Sequence, residues 1–212
     1  MIEYVVAENP DSRIMRRAAI VLEGGGLVAA PTDTSWSVFC SMASKDGVAA
    51  LKKLRGADRK RPPTAVCSTI SQIAELCDVD SSAFRLIKRL APGPYVFVLP
   101  STNRAMKDFD LHRAELGVRI PAHRVPVAMV EALGRPLLSV TAKRAMLDPD
   151  LGEPDFPEEE LFSAGWELED LPGVALILDP GEENERRLST VLDLRGGDVV
   201  VLRLGAGPYP EP

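Results

Sequence analysis

Short apolar runs rich in β-branched residues alternate along this chain with runs whose apolar residues recur every three or four positions, and the connections between them are short. That alternation predicts an α/β domain built on a central, mostly buried sheet. "IEYVVA" reads as a strand, and "NPDSRIMRRAAIVLEGGG" as a helix opened by Asp11 or Ser12 and closed by glycine. "LVAAPT" and "WSVFC" are strands, "SKDGVAALKKLR" a helix capped by Ser44, "PTAVCS" a strand, and "TISQIAELC" and "SSAFRLIKRLA" helices, the second stopped by "PGP". "YVFVLP" and "LGVRIP" follow as strands, "VPVAMVEALG" as a helix and "PLLSVTA" as a strand. The end differs. "VALILD", "STVLDL" and "VVVLRLG" have no helix between them and "RGGD" has the look of a hairpin turn, so this edge is expected to be antiparallel or mixed.

At 212 residues and 45% hydrophobic, the chain can bury a full core, and a single domain over residues 1–212 is expected. No run of about 18 apolar residues is present, and the N-terminal stretch lacks the charged-then-apolar order of a signal peptide, so no membrane association and a cytoplasmic location are expected. Cys40, Cys67 and Cys77 are widely spaced within apolar segments and read as core thiols. With His112 and His123 the only histidines, a histidine metal site or a Ser-His-Asp triad is poorly supported. The triple glycine Gly24 to Gly26 follows a helix and has no Gly-Lys-Ser/Thr after it, so it reads as a helix C-cap instead of a phosphate loop.

The formal net charge of −6 is unevenly placed. Fourteen of the 31 acids lie between Ala145 and Glu185, where there is no Lys or Arg, which leaves 25 bases against 17 acids elsewhere. The acidity therefore belongs to one segment, and an anion-binding surface is available on the rest. Residues 145–173, rich in Pro and acid, read as a variable loop or flap. By contrast "RGADRKRPPTAV" packs Arg55, Arg59, Lys60 and Arg61 into seven residues. Such clustering costs repulsion and calls for an anion.

Polar residues that interrupt buried strands mark a site in an open α/β sheet. Thr32, Asp33 and Thr34 follow the first internal strand, and a turn role for Asp33 or Thr34 is equally open. Arg119 interrupts "GVRIP", and Arg203 lies near the end of the last strand. Each needs a buried acid or an anion as partner, and an anionic ligand is the economical one. Ser139 and Thr141 alternate along "LLSVTA" and so face one side of the sheet; they suit a phosphate or carboxylate, or the backbone. Ser189 and Thr190 open "STVLDL".

"GGLVAAPTDTSWSVFC", "LKKLRGADRKRPPTAV", "LAPGPYVFVL", "LGVRIPAH", "GRPLLSVTA" and "STVLDL...VLRLG" occur in order over about residues 12–207. In this the chain resembles the YrdC/YciO family, which includes threonylcarbamoyl-AMP synthases, and "AFRLIKRLAPGPYVFVL" and "EALGRPLLS" are most similar to its YciO branch. The resemblance implies a twisted open mixed parallel/antiparallel sheet flanked by helices, YrdC/RibB-like, with a positively lined concave face. It implies condensation of ATP, bicarbonate and L-threonine to a carbamoyl-adenylate and pyrophosphate, in tRNA threonylcarbamoyladenosine modification, with Mg²⁺ carried by the nucleotide. A relative that binds double-stranded RNA, tRNA or nucleotide without catalysis is the alternative.

By the same resemblance Arg55 and Arg119 would be catalytic, and Thr32, Thr34, Ser139, Thr141 and Ser189 would bind substrate. Arg55, Arg59, Lys143 and Arg203 would hold ATP. Departures from the family pattern fall on Ala57 and Lys143, where an arginine and an asparagine are usual, on Val96, where a threonine is usual, and on Trp36-Ser37 in place of Tyr-Gly. A larger Trp36 beside the threonine site is expected to alter the amino acid accepted.

Overall fold

The computed structural model describes residues 1–55, 63–102, 114–147 and 158–209. Ten strands, β1 (Ile2–Tyr4), β2 (Leu27–Pro31), β3 (Trp36–Ser41), β4 (Thr64–Val66), β5 (Tyr95–Pro100), β6 (Glu115–Arg119), β7 (Leu137–Thr141), β8 (Val174–Asp179), β9 (Thr190–Gly196) and β10 (Asp198–Arg203), make one mixed sheet. Its order is β1-β8-β2-β3-β7-β4-β6-β5-β9-β10. Among the described residues five helices flank it: α1 (Ser12–Glu23), α2 (Lys45–Leu54), α3 (Ile70–Leu76), α4 (Ser81–Leu90) and α5 (Arg124–Leu133).

The caps explain where the helices begin. Asp11 accepts from the backbone N–H groups of Arg13 and Ile14, Ser44 from Gly47, Thr69 from Gln72 and Asp80 from Ser82 and Ala83, each satisfying orphan donors of a first turn. Helix α1 ends on Gly24, and Gly25 then turns the chain at φ 84°, a conformation that favours glycine. Among the described residues no helix is long and apolar enough to cross a membrane.

Strand order at the C-terminal end departs from the sequence expectation. Strands β9 and β10 do form an antiparallel hairpin through Gly197, at φ 85°. Strand β8 is not beside them: it runs parallel to both β1 and β2 at the opposite side of the sheet. Its Leu176, Ile177 and Leu178 are buried on both faces, as suits an interior parallel strand. Segment 180–189 then carries the chain from β8 to β9.

Each sheet face has its own core. Helices α2, α3 and α4 cover the first, where Leu51, Ile73, Ile87, Trp36, Phe97 and Phe162 pack together. Helices α1 and α5 cover the second only in part, with Met15, Leu22, Met129, Phe39 and Leu176 beneath them. Each such fully buried side chain contributes about 1.5–3 kcal/mol. Of the acidic segment expected as a loop or flap, residues 148–157 lie outside the described residues. The following stretch forms two short 3-10 turns, Glu158–Glu160 and Gly165–Leu168, and buries Leu161, Phe162, Leu168 and Leu171. That portion is part of the core, because its sparse apolar residues are spent on anchoring.

Candidate functional site

Cross-strand register shows what lines the uncovered part of the second face. Ser37 pairs with Thr141, Ser139 with Thr64, Thr64 with Gly117, Gly117 with Val98 and Val96 with Val191. Directly paired residues share a face, so these side chains point together away from α2, α3 and α4. A trough of about 570 Å³ results, with Thr64, Thr141 and Lys143 toward one side and Val96, Val98, Val191, Leu202 and Arg203 toward the other. Gly117 keeps its floor open, since a Cβ there would stand 3.2 Å from Val96 Cγ1. The register of β9 and β10 shifts between Val201 and Arg203. Such a bulge sets two residues against one, which lets the consecutive Leu202 and Arg203 both line the trough. At one end Arg195 is clamped by both carboxylate oxygens of Asp193 and by Glu115.

On the same face of the sheet as the trough, Arg119 is held in a cradle drawn from three parts of the chain. Its Nη1 donates to Thr34 Oγ1 at 3.1 Å and to Ser189 Oγ at 2.8 Å, and its Nη2 donates to the carboxylate of Asp33. The guanidinium side chain is 8% exposed and that of Asp33 15%. Burial pushes the Arg119 pKa down, opposed by the adjacent Asp33 charge. The acid partner is thus supplied by the protein itself, and the expectation that an anionic ligand was the economical partner is corrected for Arg119. Asp33 Oδ2 and Arg119 Nε are buried and have no hydrogen-bond partner among the described residues, so the pair retains bonding capacity at a place where unmade bonds are costly.

The turn that presents Thr34 is built around Thr32. Thr32 Oγ1 donates to the carbonyl of Ser35 at 2.8 Å and accepts from the N–H groups of Thr34 and Ser35. The two threonine hydroxyls lie 3.0 Å apart. Thr34 Oγ1 then accepts from Arg119, which fixes its rotamer. Asn184 Nδ2 donates to the Thr32 carbonyl at 3.1 Å, and Arg187 N to the Thr34 carbonyl at 3.1 Å. The segment after β8 therefore straps the turn on its way to Ser189. Gly205 lies against the Leu188 carbonyl and the Ser189 backbone so closely that a Cβ has no room.

The predicted residues fall into two groups. Arg119, Thr34, Thr32 and Ser189 form one bonded chain, which Arg203 joins by donating Nε to the Ser189 carbonyl at 3.0 Å. Thr141 and Lys143 line the trough with Arg203. Ser139 faces the same way but is buried and donates to the Thr64 carbonyl at 3.2 Å. Arg55, half-buried, is the C-cap of α2 and is not among the described residues that line the trough. Arg59 and Ala57 lie outside the described residues. Trp36 corrects an expectation: it is fully buried in the core of the first face and its Nε1 donates to the Ser163 carbonyl at 3.1 Å. Its neighbour Ser37, not the tryptophan, points to the trough side. Sequence reasoning did not find Asn184 or assign Asp33 to Arg119; the one available signal was that a buried arginine requires an acid somewhere.

A family model, Sua5_yciO_yrdC, described as "Telomere recombination", matches residues 20–205. The chain is 29% identical over 205 residues to the uncharacterized protein YciO of Escherichia coli K12, covering 96% of this chain and 95% of the relative. The crystal structure of E. coli YciO superposes with a TM-score of 0.83 at 28% identity, covering 98% of this chain and 97% of that one. The threonylcarbamoyl-AMP synthase of Bos taurus is 28% identical over 198 residues, 89% of this chain and 67% of the relative. P. abyssi Sua5, solved in complex with L-threonine, matches with a TM-score of 0.80 at 27% identity, over 97% of this chain and 57% of the longer one.

Proposed function

This chain belongs to the Sua5-YciO-YrdC family, and from that premise we propose that it is an L-threonylcarbamoyladenylate synthase-like enzyme. It condenses ATP, bicarbonate and L-threonine, or a related amino acid, to a carbamoyl-adenylate and pyrophosphate, in the cytoplasm and toward tRNA modification. The observation that carries the reading is the pair of arginines fixed through one serine, Arg119 by the Ser189 hydroxyl and Arg203 by its carbonyl, at an open trough.

The chemistry asks for positioning and charge neutralisation, not a protein nucleophile. The threonine amine adds to the carbon of carbon dioxide released from bicarbonate, with loss of water, and gives a carbamate. One carbamate oxygen attacks the α-phosphorus of ATP, the bond from that phosphorus to the bridging oxygen breaks, and pyrophosphate leaves with the electron pair. In this scheme Arg203 and Lys143 face the phosphates, while Thr34, Ser189 and the charge-balanced Arg119 orient the amino acid. Among the described residues no three His, Cys, Asp or Glu side chains converge, so an Mg²⁺ ion would be held by the nucleotide's own phosphates.

Pyrophosphate release from ATP with bicarbonate and each amino acid in turn, with nucleotide binding followed in parallel, tests the proposal. Release that depends on threonine or a relative of it is the expected result. Nucleotide or tRNA binding with no release under any amino acid would reduce the protein to a non-catalytic relative.

A further inference from the structure

On the opposite face of the sheet from the trough, helix α4 and the β9–β10 hairpin enclose a second cleft of about 440 Å³. Its floor is apolar, from Leu194 and Val199, which belong to the core of the first face. One wall is a row along α4. Ser82, Arg85 and Arg89 stand at i, i+3 and i+7, so they share one side of the helix. Tyr209 stands at the cleft too, where the chain returns after Tyr95 Oη donates to the Pro208 carbonyl at 2.9 Å.

The two arginines make no close ion pair with any described residue. Among the described residues neither Arg85 nor Arg89 has a carboxylate within ion-pair distance, whereas Arg17, Arg119, Arg144 and Arg195 each do. Asp198 is the one acid among the described residues that line the cleft, and Asp80, the N-cap of α4, interacts with Arg85 through its charge without an ion-pair contact. Ser82 Oγ donates to Asp80 Oδ1 at 2.7 Å, so its oxygen presents lone pairs and not a proton to the cleft. Two arginine forks one helical turn apart suit the oxygens of a phosphate better than a single point charge does. A volume in this range accepts a small molecule and not a peptide.

We propose that this cleft is a second ligand site, separate from the trough, for a small phosphate monoester with an apolar or planar body. The phosphate lies between Arg85 and Arg89 and the body lies on Leu194 and Val199 beside Tyr209. Because β9 and β10 form the floor here and carry Arg203 on their other side, the site stands back to back with the trough across a single layer of sheet.

Isothermal titration of the full chain with phenyl phosphate, with inorganic phosphate and phenol as its two fragments, tests this. Phenyl phosphate is expected to bind at one saturable site, more tightly than either fragment. The Arg85→Ala/Arg89→Ala variant, altered only at exposed positions, should weaken it at least tenfold, as loss of charge-assisted bonds of about 1.5–3 kcal/mol requires. Arg203→Ala should leave it unchanged. The proposal is overturned by the absence of saturable binding at millimolar phenyl phosphate, by binding that survives in the double variant, or by binding that is lost in Arg203→Ala, which would place the ligand in the trough.

Discussion

Arg119 on β6 donates to the hydroxyl of Ser189, 70 residues later in the chain, at 2.8 Å. The carbonyl of that serine accepts from Arg203, so one residue spaces two guanidinium groups. Ser189→Ala removes the first bond and leaves the second, which is made by backbone. We expect about 1–2 kcal/mol loss of stability and a larger fall in kcat/KM than in nucleotide affinity. Urea unfolding and pyrophosphate release measured on one preparation check this.

Removing Arg119 strands the buried carboxylate of Asp33. Arg119→Ala is expected to cost about 3–5 kcal/mol, the usual result of breaking a buried pair, and to abolish turnover. Asp33→Ala/Arg119→Ala should be more stable than Arg119→Ala alone while remaining inactive. A double-mutant cycle by chemical denaturation measures the coupling, and additive single effects would show that the pair does not act as a unit.

Trp36 and Val96 separate stability from specificity. Trp36→Phe loses the bond to the Ser163 carbonyl and some core volume, and about 1–3 kcal/mol of stability should go with them. Its side chain lies on the face away from the trough, so the ranking of amino-acid substrates should not change. Val96→Thr, in the trough wall, should change that ranking with little effect on the melting temperature.

Burial pushes the thiols of Cys40 and Cys77 up to about 12, and that of Cys67 up as well. Only the thiolate alkylates. Iodoacetamide at pH 8 should therefore leave all three unmodified in the folded protein and label them at the rate of unfolding, as mass spectrometry would record. Fast labelling without denaturant would contradict this packing.

Glu167 is held below the usual carboxylate range. Burial works against its charge, but hydrogen bonds from Ser163, the Ala164 N–H and Arg144 outweigh it. A carboxylate lowered in the folded state contributes stability that is complete above its unfolded pKa of about 4.3 and is lost as pH falls through the folded value. Thermal melts should show Glu167→Gln less stable than the natural protein at pH 7, with the gap closing as the pH is lowered below about 4.

Local structure was legible because its causes are local. Asp11 and Ser44 cap the helices that their positions predict, and the hairpin glycine takes the conformation its turn requires. The place of β8 was not, because nothing in "VALILD" states which strands it will lie between. Arg119 announced itself as a charge in an apolar strand, yet its partner sits in a turn where an aspartate has an ordinary local explanation. The facing of Trp36 was illegible for a related reason: every residue of β3 is buried, and a strand buried on both faces has no alternation to read. Lining by both Leu202 and Arg203 depends on a bulge, which sequence periodicity does not reveal.

The cradle of Arg119 draws on Thr34 and Ser189, and its neighbour Arg203 comes later still. Until residues 189–203 have been made, a growing chain lacks the groups that complete this cradle. Contacts so far apart in sequence form late and slowly. A fragment ending before Ser189 thus carries Gly117 of the trough's floor without the residue that spaces the two arginines.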